Sequence, residues 1–153
     1  LTKGMNVMDG YYNNPKASNT VLSPDGWLHT GDLGVLDPDG YLYIKGRSKS
    51  LILGPSGQNI YPEEIEDKLN NMYMVPESLV IEREGKLVAL VYPDAEAMKQ
   101  NKISREALLK IIHETRKQIN QQIPAYSQIA RIEIHDEEFE KTPKRSIKRF
   151  LYQ

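Results

Sequence analysis

Apolar runs separated by turn-forming residues predict two β-hairpins. In the first, runs at 33–36 and 41–44 flank the turn 37–40, whose sequence Asp-Pro-Asp-Gly is typical of a tight hairpin turn. In the second, runs at 79–82 and 87–91 flank a polar turn that contains glycine. We therefore expect two pairs of antiparallel strands.

Two other stretches have the apolar spacing of amphipathic helices. Pro62 suits the first turn of a helix, and apolar residues then recur three and four positions apart at Ile65, Leu69 and Met72. A longer helix is expected over 104–123, with Ser104 as its N-cap.

The remaining segments are shorter. We expect an extended connector, partly strand, over 1–25, a short strand at 50–53 and a last strand near 129–134. Because strands and helices mix without a βαβ rhythm, the predicted fold class is α+β, a small, mainly antiparallel sheet with packed helices. A short extended segment precedes it.

Composition narrows the class of protein. The chain has 153 residues, 39% of them apolar, and a net charge of −1, which suits one ordinary core and argues against a surface made for nucleic acid. It has no cysteine and no apolar run of about 18 residues, and we expect no secretion signal. We expect no disulfide, no membrane span and a cytoplasmic location, with peripheral attachment to a membrane left open.

Motifs between 26 and 66 resemble one family. Thr30-Gly31-Asp32 is followed in order by DPDGYLYI, GRSKSLI, a glycine loop and NIYPEEIE. This order is similar to the hinge region of the adenylate-forming superfamily of acyl-CoA synthetases and AMP-dependent ligases. The stretches NVMDGYYNNP and NIYPEEIE most resemble its fatty-acyl-CoA synthetase branch.

The resemblance implies a domain organisation and a reaction. Residues 1–45 would be a connector and hairpin from the end of an N-terminal adenylation domain, and 46–153 a C-terminal lid domain. Such enzymes convert a carboxylate and ATP to acyl-adenylate and pyrophosphate, and then let coenzyme A displace AMP. The lid swings between the two steps.

The same resemblance implies what the chain does not contain. No phosphate-loop pattern occurs in it, and its first residue is Leu1 rather than Met, so we expect a piece of a longer polypeptide that is inactive alone. ATP, coenzyme A and Mg²⁺ would be bound mainly by the N-terminal domain. The expected partners are that domain, a long- or medium-chain fatty acid, ATP and coenzyme A.

Two residues are candidate nucleotide ligands. In the family the aspartate of TGD, here Asp32, binds the adenylate ribose, because an ionised carboxylate can accept from both neighbouring hydroxyls. Arg47 would reach the ribose from the other side. A turn-capping aspartate and a surface salt bridge are the structural alternatives.

The resemblance also implies roles for a lysine and a loop in the rotation of the lid between adenylation and thioester formation. Lys49 occupies the family's hinge position, although a solvated lysine is the alternative. The loop 54–60 would line the coenzyme A channel, with Ser56 and Gly57 beside a thin pantetheine arm that a Cβ at Gly57 would obstruct. An ordinary turn before a helix explains the same residues equally well.

The basic tail contains the candidate catalytic cation. The family has a lysine that bridges the substrate carboxylate and the α-phosphate during adenylation, but ungapped matching places Ser146 at that position. Serine cannot supply the charge. We expect Lys148 to replace it, with Lys144 as the second candidate. The alternative is a solvated tail that neutralises the acidic run before it.

Other functions stay open on sequence alone. The acyl group could pass to an acyl carrier protein instead of coenzyme A, or the chain could be a non-catalytic binding module whose basic tail contacts an acidic partner. Its three histidines form no ligand pattern, so no metal site is expected here.

Overall fold

The computed structural model describes residues 1–153, which divide into two compact units, 1–49 and 50–153. The first unit contains helix α1 (Pro15–Val21) and an antiparallel hairpin of strands β1 (Asp32–Leu36) and β2 (Leu42–Arg47). The predicted first hairpin is confirmed. No residue of this unit is buried.

The extended connector expected over 1–25 is wrong in part, because helix α1 lies within it. The Asn14 side chain accepts a hydrogen bond from the Ala17 N–H at 3.0 Å, and Pro15 occupies the first turn. Either side of the helix, the segment pairs only through single bridges, Thr2 with Leu28 and Leu22 with the same residue.

The second unit has eight further elements. They are β3 (Ile52–Leu53), β4 (Asn59–Ile60), α2 (Pro62–Asn70), β5 (Glu77–Arg83), β6 (Lys86–Tyr92), α3 (Ala95–Gln100), α4 (Arg105–Gln122) and β7 (Ile129–Ile134). A single 3₁₀ turn at Ala125–Ser127 lies between α4 and β7, and another lies near the C-terminus at Arg149–Leu151. The second hairpin, both predicted helices and the last strand are confirmed, whereas α3 was not expected.

The main sheet has the strand order β5-β6-β7, with β5 antiparallel and β7 parallel to β6. The predicted α+β class with mainly antiparallel pairing is confirmed. The expectation that no βαβ unit occurs is wrong, since β6, α4 and β7 form one such unit. Parallel neighbours need a crossover connection, and α3 and α4 supply it.

Both faces of this sheet are covered, because successive residues of β5 and β6 are buried and successive side chains point to opposite faces. Helices α2 and α4 pack on one face, where Val80, Ala89 and Val91 are buried with Leu69 and Ile112. The segment after β7 packs on the other face through Phe139. There it contacts a second cluster, Leu79, Ile81, Val88 and Leu90. The C-terminal tail is therefore part of the folded unit.

None of the helices combines the length and the apolar character that a membrane span requires.

Candidate functional site

Asp32 and Arg47 face each other at the open end of the first hairpin. They are register partners, and the Arg47 Nη1 lies 2.5 Å from the Asp32 Oδ1. The Asp32 side chain is 33% exposed and the Arg47 side chain 61% exposed, so solvent reaches both. The structure brings the two predicted nucleotide ligands together, although they bind each other here rather than standing on opposite sides of a ligand.

Lys49 is the last residue of the first unit and lies in an exposed turn. The predicted hinge position therefore falls at the boundary between the two compact units. A few turn residues without ladder hydrogen bonds are where a change in backbone angles is absorbed most easily.

The glycine loop, residues 54–57, is the turn between β3 and β4. Gly54 is buried and donates to the Gln58 carbonyl at 2.8 Å, while Gly57 donates to the Gly54 carbonyl at 2.9 Å. Pro55, Ser56 and Gly57 are exposed. Gly57 has φ +82° and open space around the position of a Cβ, so its backbone conformation alone favours glycine.

The basic tail folds into a compact loop, which we call the tail loop and define as residues 141–147. A bridge between Lys141 and Ile147 closes it, and the Thr142 N–H donates to the Ser146 carbonyl at 2.8 Å. Lys144 lies exposed near the tip and forms no ion pair, and Ser146 is also exposed. Of the two predicted lysines, Lys144 thus lies at the tip of this loop and Lys148 directly after its closing bridge.

Lys148 follows the tail loop directly. Its Nζ lies 3.1 Å from the Glu140 Oε2, and its N–H donates to the Glu140 carbonyl at 2.8 Å. The main chain of Lys148 is therefore fixed, whereas its ammonium is held by a pair in which the Lys148 side chain is 34% exposed and the Glu140 side chain 65% exposed. Such exposed pairs contribute little and break easily, so the ammonium can reach another anion.

Glu66 and Arg149 form an ion pair that the sequence did not lead us to expect. The Arg149 guanidinium contacts the Glu66 Oε2 and donates to the Val80 carbonyl at 3.2 Å, while the Val80 N–H donates to the Glu66 Oε1 at 2.6 Å. Burial raises the pKa of Glu66, and the positive charge of Arg149 opposes that rise. One signal was available, because Glu66 falls on the apolar stripe of α2 with Pro62 and Leu69.

Aromatic rings hold the start of the tail. His135 stacks on Phe139 with ring centroids 5.0 Å apart, and Tyr152 meets Phe139 edge-on at 5.2 Å. The Tyr152 hydroxyl also accepts a hydrogen bond from the Glu140 N–H at 2.8 Å. These contacts fix the segment that leads into the tail loop.

The basic residues of the tail are mostly paired within the chain. Lys141 contacts Glu77 at 3.0 Å, Lys148 contacts Glu140, and Arg149 contacts Glu66. Within residues 1–153 no group of three or more His, Cys, Asp or Glu side chains is placed to hold a metal ion. Lys144 is exposed, as expected for a solvated tail, whereas Arg149 is mostly buried and does not fit that alternative.

Comparison with known proteins gives matches to CoA ligases. The model of the family described as AMP-binding enzyme C-terminal domain matches residues 49–152. The chain is similar to the 2-succinylbenzoate–CoA ligase of Bacillus cereus (strain AH820), with 40% identity over 114 residues that cover 74% of this chain and 23% of that protein. It is also similar to the indoleacetate–CoA ligase of Aromatoleum aromaticum, with 44% identity over 95 residues, 60% of this chain and 18% of that protein.

Solved structures agree with these matches. The o-succinylbenzoate CoA synthetase of Bacillus subtilis, in complex with its acyl-adenylate intermediate, gives a TM-score of 0.70 at 30% identity over 99% of this chain and 29% of that one. The adenylation domain of a Mycobacterium chelonae carboxylate reductase gives 0.79 at 21% identity over 94% of this chain and 24% of that one, a likeness of fold alone. The chain thus spans about a quarter of the length of the proteins that it matches, and it belongs to the AMP-binding enzyme C-terminal domain family.

Proposed function

We propose that this chain is the lid of an ATP-dependent, AMP-forming acyl-CoA ligase and that it works together with an N-terminal adenylation domain. The observation that carries the proposal is the family match over residues 49–152, which starts at the boundary between the two compact units. In this proposal residues 1–45 complete the adenylation domain and 46–153 form the mobile lid.

The exposed apolar hairpin supports the need for a partner domain. Six large apolar side chains of β1, β2 and their turn are exposed, namely Val35, Leu36, Tyr41, Leu42, Tyr43 and Ile44. Because successive residues of a strand point to opposite faces, these side chains leave apolar surface exposed on both faces of the hairpin, which marks an interaction site. We propose that the N-terminal adenylation domain covers it.

Each candidate residue then has a chemical role. Asp32 and Arg47 bind the ribose of the adenylate, and ligand hydroxyls displace part of their mutual ion pair. Lys49 absorbs the rotation of the lid. Lys148 places a positive charge between the substrate carboxylate and the α-phosphate, where negative charge develops during adenylation, and Lys144 is the second candidate for this role.

The glycine loop serves the second step in this proposal. Ser56 and Gly57 project into solvent, so after rotation of the lid they can line a channel for the pantetheine arm of coenzyme A. The open space around Gly57 suits a close approach by that arm. ATP and coenzyme A are thus substrates of the whole enzyme, with Mg²⁺ expected to arrive with ATP.

We further propose a long- or medium-chain fatty acid as the substrate. This finer proposal rests on the stretches NVMDGYYNNP and NIYPEEIE alone. The two CoA ligases named above act, by their names, on 2-succinylbenzoate and indoleacetate, and a further CoA ligase that the chain matches acts on sulfoacetate. The set of carboxylic acids tested as substrates, called the acid panel below, must therefore include aromatic and short polar acids beside fatty acids.

A non-catalytic module with a basic tail is less well supported. Only Lys144 and Arg145 of the five cations between 141 and 149 are free of ion pairs within the chain, which leaves a weak field for an acidic partner.

The proposal is tested with the full-length protein that carries this chain. Acid-dependent exchange of pyrophosphate into ATP measures the first step, and consumption of coenzyme A measures the second. We expect both activities with fatty acids of medium or long chain. Exchange without coenzyme A consumption, and with transfer to acyl carrier protein, would change the acceptor, whereas neither activity with any acid of the panel would contradict the proposal.

A further inference from the structure

The Glu66–Arg149 pair binds the free edge of β5. Val80 lies opposite Ala89 in the pairing of β5 with β6, and its own N–H and carbonyl point to the other side of the strand. The Glu66 carboxylate accepts from that N–H and the Arg149 guanidinium donates to that carbonyl. At Val80 the two side chains therefore satisfy the main-chain groups that a neighbouring strand would otherwise bind.

The pair is mostly buried, and its donors and acceptors are held in one geometry. The Arg149 side chain is 19% exposed and the Glu66 side chain 11% exposed, and Glu63 adds a second carboxylate 3.8 Å from the same guanidinium. A guanidinium can donate to a carboxylate and a carbonyl at once because its donors form a fixed fork. A lysine ammonium at this position would lack that geometry.

The anchor lies next to the candidate catalytic cation. Arg149 directly follows Lys148. The bonds of the Arg149 side chain therefore fix the main chain next to the residue that carries the ammonium. The other end of the tail loop is held by Lys141, which contacts Glu77 on the same strand β5. The tail loop is therefore fastened to β5 at both of its ends.

We propose that Glu66 and Arg149 are positioning residues for adenylation, which hold the tail loop and Lys148 in the geometry that the first step requires. This inference rests on the proposed function, because it assigns the tail loop to adenylation and the glycine loop to thioester formation. In this proposal neither residue touches substrate. The glycine loop depends on the β3–β4 pairing and not on this anchor.

Separating the two steps distinguishes positioning from general destabilisation. In the full-length protein, acid-dependent pyrophosphate exchange reports adenylation, and acyl-CoA formed from synthetic acyl-adenylate and coenzyme A reports the second step. We expect R149M to lower exchange about 10- to 100-fold, as sub-ångström to ångström misplacement does, with the second step within about 2-fold of wild type. Equal losses in both steps, or no loss of exchange, would overturn the inference.

Further variants complete the catalytic test. R149K keeps the charge but not the fork, so its loss should be intermediate. E66M should resemble R149M, and the double variant should lose little more than either one, because paired residues are not additive. R83M is the matched control, since Arg83 pairs with Glu133 at 2.8 Å on the same sheet and lies outside the tail loop and the glycine loop. Loss of exchange in R83M similar to that in R149M would count against a specific role.

Hydrogen exchange in the 153-residue chain tests the anchor without any activity. The Arg145 N–H donates to the Thr142 carbonyl and the Lys148 N–H to the Glu140 carbonyl. R149M should speed the hydrogen exchange of both groups while the N–H groups of β6 stay protected. Unchanged exchange at both amides would overturn the anchor itself. If wild type shows no pyrophosphate exchange, the proposed function and the catalytic half of this inference both fail, and the hydrogen-exchange result still decides the anchor.

Discussion

At the residue scale, the charged side chains of this chain differ in how far the fold constrains them. Asp32 and Arg47 form an exposed pair on a hairpin, Lys148 forms an exposed pair beside a fixed main chain, and the pair of Arg149 with Glu66 is mostly buried. Exposed pairs can exchange partners at little cost, whereas a buried pair cannot lose one member without leaving a charge unpaired. The first two pairs therefore suit ligand binding and the third suits support.

The predicted role of Asp32 can be measured as ATP affinity. D32A should raise the KM for ATP of the full-length protein about 10- to 100-fold, since a hydrogen bond to a charged group contributes about 1.5–3 kcal/mol. D39A, at the turn end of the same hairpin, is the control and should leave this KM unchanged. An unchanged KM in D32A would remove Asp32 from the nucleotide site.

Glu66 gives a pH dependence with a defined sign. Because burial raises the pKa of Glu66, the folded chain holds this proton more tightly than the unfolded chain. The stability that this group contributes is therefore present at acidic pH, below its unfolded pKa, and is lost as the pH rises through the raised folded pKa.

Urea unfolding of the chain between pH 4 and 8, followed by far-UV circular dichroism, tests this sign with E66Q. Glutamine resembles the protonated acid and cannot ionise, so the stability of E66Q relative to wild type should increase with pH. The surface carboxylates are common to both proteins, and their effects cancel in the difference. A difference that is constant, or that decreases with pH, would contradict the raised pKa.

At the element scale, most of the second unit was predictable from local pattern. The strands of the second hairpin and helix α4 are bounded by clear turn and capping residues, and the Ser104 side chain does accept from the Ala107 N–H. Helices α1 and α3 were missed because they have few apolar residues to show periodicity. Their signals were caps alone, Asn14 before Pro15 and Asp94 before Ala95.

Long-range pairings were not predictable in the same way. The parallel register of β7 beside β6 depends on the crossover through α4. The burial of Phe139 and the contact between Glu66 and Arg149, 83 residues apart, depend on how the tail crosses the sheet. Residue types suggested the candidate ligands, but no local pattern shows which charges the fold will bring together.

The glycine loop offers a prediction that separates conformation from function. Gly57 and Gly85 both have positive φ, +82° and +73°, with open space at the Cβ position, so G57A and G85A should each cost about 1 kcal/mol of stability. Only G57A should also slow acyl-CoA formation from acyl-adenylate, because only Gly57 is assigned to the channel. Equal rates in the two variants would leave Gly57 with a conformational role alone.

At the scale of the whole molecule, the two units differ in what stabilises them. All buried apolar side chains lie from Ile60 onward, and no residue of 1–49 is buried. Stability in a domain comes mainly from apolar burial, so the first unit has little of its own. A segment of this kind is expected to depend on a larger partner domain.

Unfolding of the isolated chain should therefore occur in two steps. Trp27 is the only tryptophan and lies in the first unit, so its fluorescence reports that unit, whereas far-UV circular dichroism reports mainly α2 and α4. In urea we expect the fluorescence to change at a lower concentration than the circular dichroism signal. Coincident transitions would show that the two units unfold cooperatively, against this expectation.

We propose that the tail supplies the positive charge for adenylation, although the resemblance places Ser146 where the family has its lysine. Acid-dependent pyrophosphate exchange by the full-length protein tests it most directly, with K148M and K144M measured beside wild type. K117M is the control, because Lys117 also forms a surface pair, with Glu114 at 2.9 Å.

We predict that K148M lowers the exchange rate about 100-fold, as loss of one electrostatic stabiliser does, while K144M and K117M stay near wild type. Restoring the lysine with S146K in the K148M protein should recover exchange. Exchange at the wild-type rate in both K148M and K144M would contradict the claim.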